Sequence, residues 1–298
     1  MLVDKPAGPT SHDVVARVRR LLGTRAAGHT GTLDPFATGL LVVLVGKATR
    51  LARFVEQRSK TYFASARLGT RTTTDDLTGT AIAPPAGPDA WTGRSAEPAS
   101  RQAVEAALKS FVGPRKQRPP AFSAKRVGGE RSHAKARRGE AVELAESDVM
   151  IHSVELVGYD YPDFSFRTVV SAGTYIRALA RDLGERLGMG AHLTALRREA
   201  IGDLRVEQAV PLEAVGPDAL LPPLAVLGHL RRVDVSEEEA TDLGHGRLIR
   251  REGQAGAERE TPAASEHVLA VAADDRLIAV ARWQGEALHP EVVLEARG

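Results

Sequence analysis

Residues 28–41 read Gly-His-Thr-Gly-Thr-Leu-Asp-Pro-Phe-Ala-Thr-Gly-Leu-Leu. Three glycines, three threonines, one histidine and one aspartate stand ahead of an apolar run at residues 40–45. That composition describes a tight loop with exposed backbone, feeding a buried strand and presenting His29 and Asp34 at the strand end. Pro35 stiffens the chain directly after the carboxylate. The residues alone leave two readings open. Asp34 is either the cap of a turn, bonded to nearby N–H groups, or part of a functional loop. A phosphate loop is excluded, because no Gly-Lys-Ser/Thr terminus is present.

Outward from this segment the apolar spacing gives the neighbouring elements. Thr10 and Ser11 cap a helix carrying Val14, Val15, Val18, Leu21 and Leu22, with Gly23 as its stop. A second helix carries Leu51, Phe54 and Val55. Tyr62, Ala64, Ala66 and Leu68 alternate as a half-buried strand. Ser100 caps a helix with Val104, Ala107, Leu108 and Phe111, expected to end at Gly113. Phe164, Phe166, Thr168 and Val170 form a strand leading into a helix with Ile176, Leu179, Ala180, Leu183 and Leu187, closed by Gly188. Leu221-Pro222-Pro223 marks a boundary. Beyond it come a strand at 233–235, a helix at 237–243, a hairpin of 268–272 and 277–283 around Asp274 and Asp275, and a last strand at 292–294. Strands in runs rather than strict βαβ alternation favour α+β. Residues 84–98 and 252–266 are rich in small and polar residues and are expected to be mobile.

The chain has 298 residues, 43% hydrophobic and 26% charged, which excludes disorder of the whole. No apolar run approaches the ~20 residues a bilayer span needs. Asp4 and Lys5 interrupt any charged-then-apolar leader. The absence of cysteine removes disulfides, a thiol nucleophile and thiolate metal sites, and a cytoplasmic address is expected. The formal charge of +2 hides an uneven distribution. Residues 1–60 hold ten Lys/Arg against four Asp/Glu, and residues 115–138 hold nine against Glu130 alone. Such blocks suit a polyanion partner, the rival being a solvated loop. Pro119, Pro120, Gly128 and Gly129 bracket the second block, so it reads as a flexible, cationic, loop-rich arm.

The segment at 28–41 resembles the catalytic signature of the TruB family of tRNA pseudouridine-55 synthases. Further motifs extend the resemblance: Lys60-Thr61-Tyr62, Ala66-Arg67-Leu68-Gly69 and Thr72 to Asp76 with Gly79; Pro119-Pro120-Ala121-Phe122-Ser123-Ala124-Lys125; Ser171-Ala172-Gly173-Thr174-Tyr175-Ile176-Arg177 with Asp182-Leu183-Gly184; and Gly190-Ala191-His192-Leu193 with Leu196-Arg197-Arg198. The resemblance implies an α+β fold. A mixed-sheet pseudouridine synthase catalytic domain would span 1–227, with an RNA-gripping insertion at about 115–140. A small β-rich PUA-like domain would span 228–298, expected to fold apart and add RNA surface by tethering. The implied activity is isomerisation of uridine 55 in the T-arm stem-loop of tRNA, by base flipping, without cofactor or metal, in a cytoplasmic monomer.

By motif position, Asp34 is the essential carboxylate, and Arg177 pairs with it to keep it ionised. Tyr62 stacks on the extruded base. Tyr175 packs beneath it, with its hydroxyl acting at C5, and Leu196 is apolar lining. His29 fills the gap left by the flipped base. Asp76 holds Tyr62 or binds substrate indirectly. Lys5 supports the site or a nearby phosphate. Lys125, Arg126, Arg131, Arg137 and Arg138 grip the RNA backbone, which positions without reading sequence. His133 stands where the family commonly has an aromatic, and offers less stacking area. The bland readings differ. Tyr62 and Tyr175 would be half-buried strand aromatics, Arg177 a surface helix residue, Asp75 a solvated turn residue and His192 a structural hydrogen-bonder. No metal partner lies at ligand spacing from His29. The rival functions are a pseudouridine synthase for another RNA, a non-catalytic RNA-binding or RNA-folding protein, and a glycoside hydrolase, which needs two carboxyls about 5–9.5 Å apart.

Overall fold

The computed structural model describes residues 1–295 apart from 84–97, 124, 141, 143 and 252–265, and leaves out the side chains of Arg126, Val127, Arg131, His133 and Arg137. The two stretches expected to be mobile therefore lie almost wholly outside the described residues. The first helix, Ser11–Leu21, starts where its cap demands. Thr10 accepts from the Asp13 N–H at 3.1 Å, and the Asp13 carboxylate accepts from Thr10 N at 2.8 Å. Its buried stripe is Val14, Val15 and Val18.

The strand that follows the 28–41 loop, Thr38–Val45, is buried on both faces. Leu40, Val42 and Leu44 enter one apolar cluster, and Leu41 and Val43 another. A strand packed on both sides needs a continuous apolar run, and this one has it. Lys60–Leu68 shows the other pattern. Tyr62, Ala64, Ala66 and Leu68 face the largest core, while the alternate residues face outward.

Eight strands run across the main sheet in the order Val210–Pro211, Leu2–Lys5, Thr38–Val45, Ala191–Ile201, Lys60–Leu68, Asp163–Val170, Ser147–Asp160 and Gly113–Gln117. The first pair is parallel, as is Thr38–Val45 with Ala191–Ile201, and the rest are antiparallel. The expected α+β class and mixed sheet are present. Gly113 does not end a helix. The helix Arg101–Lys109 stops at Ser110, and Gly113 opens the edge strand at φ +109°. The insertion is more ordered than a loop-rich arm. It carries a hairpin, Arg126–Val127 with Glu130–Arg131, turned by left-handed Gly128 and Gly129, and a short helix, Ser132–Arg137.

A second sheet of five strands runs Arg231–Asp234, His267–Val271, Leu277–Gln284, Ala287–Val293 and Ile249–Arg250. Its expected hairpin turns through left-handed Asp274 and Asp275. This sheet does not hang from a linker. Leu269, Val271, Leu277, Val280 and Val292 share one buried cluster with Leu40, Val42, Leu51, Phe54 and Val55. The Phe54 and His267 rings meet edge-on at 5.0 Å, and Arg53 pairs with Glu291 at 2.6 Å. Periodicity reveals which face of a strand is buried but not what covers it, so the tethering expectation missed this seam.

One test follows from the shared core. Phe54→Ala should cost about 3–5 kcal/mol, the usual range for emptying a large buried site. Denaturation followed separately by a probe in each sheet should show both transitions moving together. Movement of the main-sheet transition alone would contradict a common core.

Candidate active site

The loop carrying Asp34 is shaped from both sides. Ser11 Oγ donates to the Leu33 carbonyl at 3.1 Å and accepts the Leu33 N–H at 2.8 Å. Lys5, fully buried, donates its three N–H groups to the carbonyls of Pro6 (2.8 Å), Pro35 (3.2 Å) and Ala37 (2.7 Å). Arg198, also buried, donates to Leu40 O at 2.7 Å and Gly31 O at 3.1 Å. Loop carbonyls shut away from water need such donors. Gly39 is required by contact as well as conformation. Its φ is +104°, and a Cβ there would lie 2.3 Å from the Arg198 carbonyl oxygen.

Arg177 lies at the start of the helix Ile176–Arg186 and is buried, not a surface residue. Its Nη2 donates to Asp34 Oδ1 and to the Phe122 carbonyl, both at 2.9 Å. Its Nη1 donates to the Thr74 carbonyl at 2.9 Å and lies 3.6 Å from Asp76 Oδ2. Burial pushes the Asp34 carboxyl above the ordinary carboxylate value, and Asp76 adds to this. Arg177, by charge and hydrogen bond, and Lys5, by charge, pull it back down. Asp76 is buried. Its Oδ1 accepts from Thr74 Oγ1 at 2.7 Å, Thr78 N at 2.9 Å and Thr78 Oγ1 at 2.5 Å. It thus buttresses Arg177 rather than holding Tyr62.

Asp34, Tyr62, Tyr175, Arg177 and Leu196 line one cavity of about 400 Å³. Tyr62 sits directly across from Arg198 in the sheet, and Leu196 across from Ala64. Tyr175 precedes the Arg177 helix. Its N–H donates to Gln117 Oε1 at 2.8 Å, and its carbonyl accepts from Gln117 Nε2 at 3.1 Å. Burial raises the Tyr175 hydroxyl, and a hydrogen bond with Ser123 partly opposes this.

His29 ends the strand Ala27–His29 beside the loop and is not part of the cavity wall. Its Nδ1 accepts the Gly31 N–H at 3.3 Å. Burial and the nearby Arg198 push its pKa down, which favours the neutral ring. Lys5, with every N–H spent on a carbonyl, has none left for a phosphate.

Asp75 is not solvated. It is buried in the left-handed conformation and pairs with Arg181 at 3.1 Å. His192 makes its structural bond, Nδ1 to the Thr70 carbonyl at 2.8 Å. In the insertion, Lys125 is exposed. Arg138 is held by Glu130 at 2.6 and 2.9 Å and by Glu140 at 2.7 Å. The Arg126, Arg131 and Arg137 side chains lie outside the described residues. Among the described residues no group of three His, Cys, Asp or Glu could hold a metal, and no helix is long and apolar enough to cross a membrane.

Sequence reasoning gave no role to Arg198, Lys60 or Gln117. Arg198 had a signal, since strand alternation places it on the same face as Leu196. Gln117 had none.

Comparison with known proteins gives a consistent picture. The family model described as TruB family pseudouridylate synthase (N terminal domain) matches residues 19–176. Those described as tRNA pseudouridylate synthase B C-terminal domain and tRNA pseudouridine synthase II, C terminal, match 177–222 and 230–295. The chain is 43% identical over 303 residues to tRNA pseudouridine synthase B of Thermobifida fusca (strain YX), covering 98% of this chain and 97% of that one. It is 41% identical to the protein of the same name from Leifsonia xyli subsp. xyli (strain CTCB07), covering 96% and 93%. A solved structure of an H/ACA ribonucleoprotein bound to a substrate RNA containing 2′-deoxyuridine superposes with TM-score 0.71 at 24% identity, covering 98% of this chain and 83% of that one.

The close approach at Gly39 gives a structural test. Gly39→Ala should lower stability by roughly 2–5 kcal/mol, combining a left-handed side chain with a backbone clash. Gly28→Ala, where nothing lies within 4 Å, is the control and should be nearly neutral. Equal denaturation midpoints for the two variants would show that the strand contact does not fix the loop.

Proposed function

This chain belongs to the TruB family, and we propose that it isomerises uridine 55 in the T-arm of tRNA to pseudouridine, using Asp34 as the essential carboxylate. The observation that carries this reading is the Arg177 Nη2–Asp34 Oδ1 bond of 2.9 Å, inside a cavity walled by Tyr62, Tyr175 and Leu196. The reaction breaks the N1–C1′ bond, rotates the base and joins C5 to C1′. A proton leaves C5 and N1 gains one. Atoms and electrons balance within the nucleotide, so no redox partner or group donor is required.

A uridine in a folded stem-loop must leave its stack before a buried carboxylate can reach it. In this reading Tyr62 stacks on the extruded base and Leu196 covers its other apolar surface. Tyr175 lies beneath, its hydroxyl kept un-ionised by burial, and takes up the C5 proton as it releases its own to solvent, from which N1 is reprotonated. His29 enters the vacated stack as a wedge. Arg177 holds Asp34 ionised and Asp76 holds Arg177. Lys5 acts through the loop carbonyls alone.

Residues 1–227 form the catalytic part, and 228–298 a PUA-like part that adds RNA surface. Lys125, Arg126, Arg131 and Arg137 of the insertion contact the RNA backbone, and Arg138 does so only if RNA displaces its two glutamates. The protein acts as a monomer, without metal, in the cytoplasm where tRNA is processed.

Asp34→Asn should abolish pseudouridine formation on an unmodified tRNA transcript while leaving RNA affinity within a few-fold, because charge on the basic surface supplies binding. Mapping of the modified position checks both residue and substrate. Turnover near the wild-type rate, or modification elsewhere than position 55, would sink the assignment.

The insertion has its own test. Neutralising Lys125, Arg126, Arg131 and Arg137 together should reduce the log–log salt slope of binding by roughly 0.7–0.9 for each phosphate that these side chains neutralise. An unchanged slope would mark the block as a solvated face.

A further inference from the structure

Buried cations in this protein come in two kinds. Arg177 lies among the carboxylates Asp34 and Asp76, and Arg181 among Asp75 and Asp182. Lys5, Lys60 and Arg198 have no carboxylate within 4 Å among the described residues, and Lys5 spends all three N–H groups on carbonyls. Arg198 bonds to the carbonyls of Leu40 and Gly31, and Lys60 to those of Glu56 and Arg58. Both line the Asp34 cavity. A buried cation lacking a counter-charge is costly to keep. Burial and the charge of Arg198 together push the Lys60 ammonium down to about 8.

A third group lies in the same wall. Thr30 is 1% exposed and borders the cavity, and its Oγ1 has no hydrogen-bond partner. Buried hydroxyls are rarely left unpaired. Glu56 lines the cavity too and its charge acts on Lys60, but it is exposed and approaches neither cation within 4 Å. An ammonium with an N–H to spare, a guanidinium and an unused hydroxyl are donors for an oxyanion. RNA offers one oxyanion per nucleotide and no other.

We propose that Lys60, Arg198 and the Thr30 hydroxyl form an anion subsite that takes one backbone phosphate adjoining the flipped uridine. The inference rests on the activity proposed above and adds a fixed point for the sugar side of the substrate. With the base held by Tyr62 and Leu196 and the phosphate held here, the ribose between them is fixed beside Asp34. The phosphate also supplies the counter-charge that the two buried cations lack.

The test uses RNA stem-loops in which the linkage on the 5′ or the 3′ side of the target uridine is an uncharged methylphosphonate. In the wild type, one of the two should lower single-turnover kcat/KM by about ten- to a hundredfold, the range for losing a charged hydrogen-bonded group. In Thr30→Val, and in Lys60→Met shown to be folded by circular dichroism, the same replacement should cost several-fold less than it does in the wild type, because one of the phosphate's three partners is already gone. Equal losses in wild type and variants, or no loss at either linkage in the wild type, would overturn the subsite. A wild type unable to modify the unsubstituted RNA would overturn the activity itself, and the subsite with it.

Discussion

The contact between Arg177 and Asp34 is the constraint on which the site depends. One guanidinium gathers four segments: the 28–41 loop through Asp34, the 72–79 turn through Thr74 O and Asp76, the root of the insertion through Phe122 O, and its own helix. Remove it and the Asp34 and Asp76 carboxylates lose the cation between them, while two carbonyls lose a donor. Leaving such groups uncompensated costs several kcal/mol. The same side chain therefore pulls the Asp34 carboxyl back down and joins the root of the insertion to it.

The surrounding architecture serves this contact at longer range. The 28–41 loop would expose carbonyls to an apolar interior if Lys5 and Arg198 did not donate to them. It can sit between them because Thr38–Val45 is apolar on both faces and locked against Ala191–Ile201 where Gly39 meets Arg198. The helix Ala52–Glu56 links the two sheets. Phe54 and Arg53 meet the small sheet, and Lys60 follows four residues on in the cavity wall. The small sheet is thus a brace for the site.

Much of this was legible in the sequence, and the reasons are local. Thr10 and Ser11 mark a helix start, residues 40–45 are one apolar run, and residues 62–68 alternate, so each element announces itself within a few residues. Asp34, Tyr62 and Arg177 were reached by motif position, and the structure brings all three to one cavity. What stayed hidden depends on partners distant in the chain. Asp75 looks like a turn residue until Arg181 is placed against it. The small sheet looks separable until its apolar face is found on Leu51 and Phe54. Gln117 has no periodic or compositional mark, and only its two bonds to Tyr175 reveal it. Thr30, read as one more small loop residue, matters because nothing satisfies its hydroxyl.

The central claim is that Arg177 acts by keeping Asp34 ionised. The direct measurement is the pH dependence of the single-turnover rate at saturating RNA, for the wild type and Arg177→Gln. Burial has already raised the Asp34 carboxyl, so wild-type activity should fall as pH drops through a value above that of an ordinary carboxylate. Taking away the cation should raise that value further. The acid limb of Arg177→Gln should then move to higher pH, with part of the missing rate returning on the alkaline side. A rate reduced by the same factor at every pH, with the limb unmoved, would contradict the account and leave Arg177 a structural strut.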